Sequence, residues 1–325
     1  MPLLLSERDV RAVVTMDDLI AAMETALIAF STGAVAQPVR TVVDAGGHGF
    51  FGVMPAYLPA PGALGAKLVT VFHGNTASGL PTHLATILLL DPATGELVAI
   101  LDGRYLTEAR TAAVSAVSVE LLAREQAATL AIIGTGVQGR SHLQAITRVR
   151  EIREVRVWSP TASSRAAFLR DMQPSTTAAI VESPSAREAV EGMEIVVLAS
   201  AAREPVIRSE WIAEGTHICA VGACRRDQRE MDSALVARAR VVVDSRAGAM
   251  SEAGDIIIPM QEGCFDASHI QGELGELAAG TTPARTSPRD ITIFKSLGMA
   301  VEDVAAAHLA FVKASARGLG RGFVL

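Results

Sequence analysis

Apolar and polar residues alternate along this chain in two different rhythms. From residue 128 onward, runs dense in Val, Ile, Leu and Ala recur at 128–133, 154–159, 178–181, 194–200, 217–222, 241–244 and 290–294, most of them separated by helix-sized stretches. Strands that are apolar along their whole length are those buried on both faces, so this pattern predicts a doubly wound parallel sheet, an α/β architecture. Before residue 120 the rhythm changes. Thr15 and Asp18 form a capping-box pattern, and Ile20, Met23, Leu27 and Phe30 follow at helical spacing up to Gly33. Strand candidates lie at 39–43, 50–54, 66–72 and 86–90, and a turn at 91–95 leads to another at 97–101. This part reads as a separate α+β unit. An Ala-rich helical segment at 107–120 leads into the parallel sheet, and one more helix begins near Gly298. The expected organisation is residues 1–120 with 300–325 as a discontinuous substrate-binding domain, and 121–299 as the parallel-sheet domain.

The run at 128–133 flows into Gly134, Gly136 and Gly139. In a G-x-G-x-x-G turn the first glycine permits the tight exit from the strand, the second lets the backbone approach a pyrophosphate, and the third allows close helix–strand packing. Taken alone the pattern is weak, since glycine-rich turns are common. Here a helix at 141–149 and a strand at 154–159 complete a βαβ unit, which makes the parallel domain Rossmann-type. That second strand ends Trp158-Ser159-Pro160-Thr161, without the acid that NAD-preferring folds place there for the ribose. Ser159, Thr161 and Arg165 are therefore candidates to receive a 2′-phosphate, or they simply open the helix at 162–170. NADPH is the expected cofactor, with NADH the alternative. Cys224 follows the strand at 217–222, at the carboxyl edge where ligands of such sheets collect.

Composition narrows the partners. Half of the residues are apolar and the net charge is −6, which argues against a nucleic-acid partner, since that normally needs a clustered basic face. The three cysteines lack metal-type spacing and suggest no disulfide framework, so a reducing cytoplasm is expected. The opening Met-Pro-Leu-Leu-Leu-Ser-Glu-Arg-Asp has no basic region ahead of its leucines and does not read as a secretion signal. The apolar run at 84–90 is too short to span a membrane and ends at Asp91-Pro92. A small-molecule ligand remains.

Arg40, Lys67 and Arg110 each stand among apolar or small neighbours in the first domain. Singly, each reads as a solvated or snorkelling side chain. Converging, they would make a receptor for a carboxylate, Arg as a bidentate fork and Lys as a point charge. His48 and His83 lie in turn-rich settings and could titrate near neutrality, though a lone His is more often structural.

Taken in order, Gly52-Val-Met-Pro-Ala-Tyr57, Lys67-Leu-Val-Thr70, Leu101-Asp-Gly103, the segment from Arg110 to Ala116, Gly134-Thr-Gly-Val-Gln138, Val221-Gly-Ala223, Arg229-Glu-Met-Asp232 and the segment from Phe294 to Asp303 resemble the ornithine cyclodeaminase/mu-crystallin family over nearly the whole chain. The resemblance implies an NAD(P)-dependent homodimer in which the substrate-binding domain, residues 1–120 with 300–325, is also the dimerisation domain. It implies that Arg40 and Lys67 hold a substrate carboxylate with Arg110 close to substrate and cofactor. Thr82, Thr111, Val137, Gln138, Ser200 and Ser296 fall on positions resembling the family's nucleotide contacts. Where ornithine cyclodeaminases carry an Asp two residues after the Val-Gly pair, this chain has Cys224, which supplies no standing negative charge for an ammonium substrate. The segment resembles the ketimine-reducing members more closely. The implied activity is reduction of a cyclic imino acid, Δ1-pyrroline-2-carboxylate to L-proline or Δ1-piperideine-2-carboxylate to L-pipecolate. An ornithine or lysine cyclodeaminase, an alanine dehydrogenase-like deaminase and a non-enzymatic binding protein are the alternatives.

Overall fold

Helix starts in the first part of the chain are set by side chains reaching back to the backbone. Ser6 accepts from the Asp9 amide while Asp9 accepts from that of Ser6, and Thr15 and Asp18 repeat the arrangement, opening α1 (Glu7–Val13) and α2 (Met16–Ser31). The computed structural model describes residues 1–324, the side chains of His73 and Thr76 excepted. It divides into two units, Met1–Arg110 with the chain from Gly298 onward, and Thr111–Leu297. The first division falls inside a helix, about ten residues earlier than the sequence pattern places it.

In the first unit, β1 (Leu3–Leu5) lies parallel to β6 (Leu97–Asp102), and the sheet continues antiparallel through β5 (His83–Leu90), β4 (Ala63–Val71), β3 (Phe50–Leu58) and β2 (Thr41–Asp44). Burial alternates along β3 and β4, the mark of a sheet covered on one face. The sequence rhythm did not reveal β1. Three leucines before a capping residue are too short a run to show a period. The edge strand β2 is exposed along its whole length.

Helix α3 (Arg104–Leu122) crosses from the first unit into the second. The second unit is an eight-stranded parallel sheet in the order β13-β12-β14-β11-β10-β7-β8-β9. Its strands are β7 (Thr129–Ile133), β8 (Glu154–Trp158), β9 (Ala179–Glu182), β10 (Ile195–Leu198), β11 (His217–Ala220), β12 (Arg240–Val243), β13 (Ile270–Glu273) and β14 (Thr292–Lys295). Connecting helices are α4 (Val137–Val149), α5 (Ala162–Met172), α6 (Ala186–Val190), α7 (Ser233–Arg238), α8 (Arg246–Glu252), α9 (Gly254–Gln261) and α10 (Leu274–Ala278). Residues of β10, β11 and β14 are all buried, and separate apolar cores cover the two faces of the sheet. Chain order reverses at β7, which has β8 on one side and β10 on the other, and such a reversal opens a ligand crevice at the strands' carboxyl ends. The chain then returns to the first unit as α11 (Ala300–Ala316), which packs on β3, β4 and α2, and ends in β15 (Arg321–Gly322), antiparallel to β1. No helix among the described residues is long and apolar enough to cross a membrane.

A buried polar seam runs beneath the second sheet. His142 of α4 bonds the Gln138 carbonyl through Nδ1 at 2.7 Å and the Ser115 hydroxyl through Nε2 at 2.9 Å. A carbonyl only accepts, so Nδ1 carries the proton and Nε2 accepts from the serine. His217 on β11 bonds Thr292 and Ser118. Burial drives His142 down to about 4, and burial followed by the charges of Arg285 and Arg150 drives His217 to about 3. In the unfolded chain both accept a proton below about 6.5. Their contribution to stability is therefore complete above that pH and declines on acidification, by about 1.4 kcal/mol per pH unit for each, until the folded rings titrate. Calorimetry is expected to show Tm falling from pH 7.5 to 5 and a shallower fall for His142→Gln; an unchanged slope would remove His142 from this account.

Candidate active site

The first unit gathers its charge on three elements. Alternation along β4 turns Lys67 to the face covered by α11, where its Nζ lies 2.6 Å from Asp303 Oδ2. Arg110, from α3, donates through Nε to Asp303 Oδ1 at 2.9 Å and through Nη1 to Glu302. Lys67 and Arg110 are almost fully buried and both acids are fully so. Arg40 approaches from the segment before β2, its Nη2 3.5 Å from the Gly298 carbonyl. A Cβ on Gly298 would come within 2.7 Å of both Arg110 Nη atoms, so a glycine there lets the backbone pass against the guanidinium. Arg40, Lys67 and Arg110 are thus brought together.

The electrostatics follow from that crowding. Burial lowers the Lys67 pKa, Asp303 opposes the drop, and the like charges of Arg110 and Arg40 deepen it, to about 8. Burial raises Asp303, but Arg110 and Lys67 outweigh it and hold the carboxyl below its usual range. Thr82, also in this unit, stands apart. Its carbonyl accepts from Phe72 N and its hydroxyl bonds the His83 ring at 3.1 Å, roughly 15 Å along the strand from the Lys67 row. His48 and His83 are exposed and belong to neither buried cluster.

In the second unit the remaining sequence candidates line up at successive strand ends. Gly134, with φ +112°, turns off β7, and a Cβ there would collide with the Ala199 carbonyl. A Cβ on Gly139 would strike the Gly134 carbonyl, so α4 packs against its own strand only with glycine there. Gly136 faces open space at the N-cap of α4, where no side chain caps the first turn and the amides of Val137, Gln138 and Gly139 point outward. This cradle fits a nucleotide pyrophosphate. Ser159 follows β8, its hydroxyl 3.1 Å from that of Thr135, and Thr161 is the N-cap of α5 without a capping side-chain bond. Arg165 donates to the Ser159 carbonyl at 2.6 Å and to Glu182 at 2.7 Å. Ser200 follows β10, Cys224 lies exposed beyond β11, and Ser296 follows β14 with its hydroxyl buried. Thr111 sits on α3 one turn before Ser115.

Sequence reasoning missed the acids. Glu302 and Asp303 lie in the first turn of α11, where acids ordinarily serve the helix dipole in water; their apolar neighbours Val301 and Val304 were the available sign of burial. Glu230, Asp255 and Lys295, which form a second fully buried ion cluster, were not singled out either.

A parallel sheet carrying a glycine cradle, with a separate unit carrying converging cations, defines a nicotinamide-nucleotide-dependent oxidoreductase. More specifically, the chain belongs to the ornithine cyclodeaminase/mu-crystallin family, whose model matches residues 1–318. It is 42% identical over 297 residues to the ketimine reductase mu-crystallin of Mus musculus, covering 90% of this chain and 91% of that protein. It is 38% identical over 320 residues to a Delta(1)-pyrroline-2-carboxylate reductase of Bacillus cereus, covering 98% of each. The structure of Thermococcus litoralis Delta(1)-pyrroline-2-carboxylate reductase in complex with NADH and L-proline superposes with a TM-score of 0.97 at 42% identity, covering 99% of this chain and 100% of that one.

Removing one member of a buried ion network strands its partners. Asp303→Asn is expected to lower unfolding free energy by about 3–5 kcal/mol in denaturant titration at pH 7.5, and a loss below about 1 kcal/mol would show that Glu302 alone suffices for both cations.

Proposed function

We propose that this enzyme reduces the C=N bond of cyclic ketimine carboxylates, converting Δ1-pyrroline-2-carboxylate to L-proline and Δ1-piperideine-2-carboxylate to L-pipecolate. The observation that carries the reading is the convergence of Arg40, Lys67 and Arg110 from three separate segments, with both guanidiniums close enough to weaken the hold of the buried ammonium on its proton. The two guanidiniums hold the substrate carboxylate and fix the ring. Lys67, whose ammonium titrates near neutrality, gives its proton to the ring nitrogen, because an iminium accepts hydride far more readily than a neutral imine. Asp303, ionised and hydrogen-bonded to both Lys67 and Arg110, fixes their relative position. The bound nicotinamide nucleotide supplies the hydride.

Gly134, Gly136, Val137, Gln138 and Gly139 are assigned to the pyrophosphate, and Thr82, Arg110, Thr111, Ser200, Cys224 and Ser296 to the rest of the nucleotide. Ser159, Thr161 and Arg165 are assigned to a 2′-phosphate, which favours NADPH. Arg165 is also engaged by Glu182, and that pairing leaves NADH as the alternative. A cyclodeaminase reading finds a thiol at residue 224 where it needs a carboxylate. The three free cysteines suit a cytoplasmic enzyme of proline metabolism.

Two copies are proposed to associate through the β2 edge. Its Val42 and Val43 are half exposed on opposite faces of the strand at the end of the sheet, and Val39 beside it is exposed as well.

Lys67→Met is expected to reduce kcat on Δ1-pyrroline-2-carboxylate by about 10²–10⁴ with little change in nucleotide affinity. Since the ammonium form is the donor, wild-type turnover should fall as pH rises through about 8, and Lys67→Arg should lack that limb. A Met variant that kept its kcat and lost only nucleotide binding would refute the role. Run with NADH and NADPH, the same assay decides the cofactor: equal kcat/KM would take Ser159, Thr161 and Arg165 out of the selection. In sedimentation, the wild type is expected as a dimer and Val42→Lys/Val43→Lys as a monomer; a monomeric wild type would overturn the association.

A further inference from the structure

The second buried ion cluster lies at the carboxyl ends of β10, β11 and β14. Glu230 is fully buried, and both of its carboxylate oxygens are used twice. Oε1 accepts from the Ser200 amide and hydroxyl, each at 2.7 Å, and Oε2 accepts from the amides of Gly222 at 2.8 Å and Ala223 at 3.2 Å. One side chain therefore ties the exit of β10 to the exit of β11. Gly222 has to be glycine for this, since a Cβ there would meet Glu230 Oε1 and the Ser200 backbone.

The backbone of Glu230 is held as firmly as its carboxylate. Its own amide donates to Asp255 Oδ1 at 2.8 Å, as does that of Met231 at 3.2 Å, and its carbonyl accepts from Val206 and Ile207. Asp255 Oδ2 lies 3.0 Å from Lys295 Nζ at the end of β14. The charged groups facing Glu230 are thus Asp255 from α9 and Lys295 from β14, with Cys224 on the same turn acting on Lys295. Three of the four bonds come from backbone amides, which only donate, and the fourth comes from the Ser200 hydroxyl, which can turn to accept.

We propose that Glu230 is a positioning residue for the nicotinamide ring: its buried negative charge sets Ser200 and the Gly222–Cys224 turn relative to one another, and protonating it releases that wall of the nucleotide site. Protonation removes the charge that strengthens the three amide bonds, and a proton on Oε2 would face the Gly222 and Ala223 amides, which cannot accept it. Burial and the like charge of Asp255 raise Glu230 to about 7, against the pull of Lys295 and the Ser200 donors, so release falls in an accessible pH range. The inference rests on the nucleotide reading of this unit and is independent of which imine is reduced.

Hydrogen exchange on the nucleotide-free enzyme tests the clamp without any activity. Protection factors of peptides containing Ser200 and Gly222–Cys224 are expected to fall at least tenfold between pH 8 and pH 6 in the wild type. In Glu230→Gln they should be low at both pH values, and Glu230→Asp should restore part of the pH response. NADH affinity by fluorescence should weaken about tenfold over the same interval in the wild type and be weak and flat in Glu230→Gln. Wild-type protection and NADH affinity that stay constant from pH 8 to 6 overturn the proposal whether or not the variants fold. Protection that responds to pH while the wild type binds no nucleotide at any pH overturns the nucleotide reading and leaves Glu230 a structural clasp only.

Discussion

Two cations and two carboxylates buried together in the first unit set the terms for the rest of its architecture. Isolated, any one of Lys67, Arg110, Glu302 or Asp303 would cost several kcal/mol to remove from water, so none can be buried without the others. The geometry is good enough to offset that cost: Asp303 spends one oxygen on each cation, and Glu302 takes the far end of the guanidinium. Holding the charges in place this way leaves Lys67 with a weakened grip on its proton, because burial and two nearby guanidiniums act against a single close carboxylate. The same packing that stabilises the unit thus lowers the pKa of its buried ammonium group.

The second unit solves a parallel problem with different means. A sheet whose strands are buried on both faces offers its ligand only the strand ends, and here those ends are joined by polar groups under the surface. Glycines at 134, 139 and 222 remove side chains where backbone must touch backbone or carboxylate. Glu230 and Asp255 then supply the acceptors that the turns themselves lack. The functional rim is made by what the core contributes from below.

Long apolar strands and capped helices were legible because their signal repeats locally: the runs from 128 onward became β7 to β12 and β14, and the Thr15–Asp18 box opened α2 where expected. Strands β1, β13 and β15 were not, being short pieces whose pairing is specified by distant partners. The cations were legible for the opposite reason, as charges in apolar surroundings. Glu302 and Asp303 were hidden by a plausible local role at a helix start, and Glu230 by a charged loop in which nothing marks it as interior. Burial of a charge is decided by partners that lie far along the chain, and a local pattern does not carry that information.

The first unit is interrupted by the whole of the second, and its acids arrive last. During synthesis Lys67 and Arg110 leave the ribosome long before α11 exists, so β4 and α3 emerge with charges that have no counterions to bury against. The parallel sheet, contiguous in the chain, can be completed while the nascent N-terminal segment waits. A polypeptide ending just ahead of residue 302 would contain the whole nucleotide unit and lack both acids that neutralise the interior of the other.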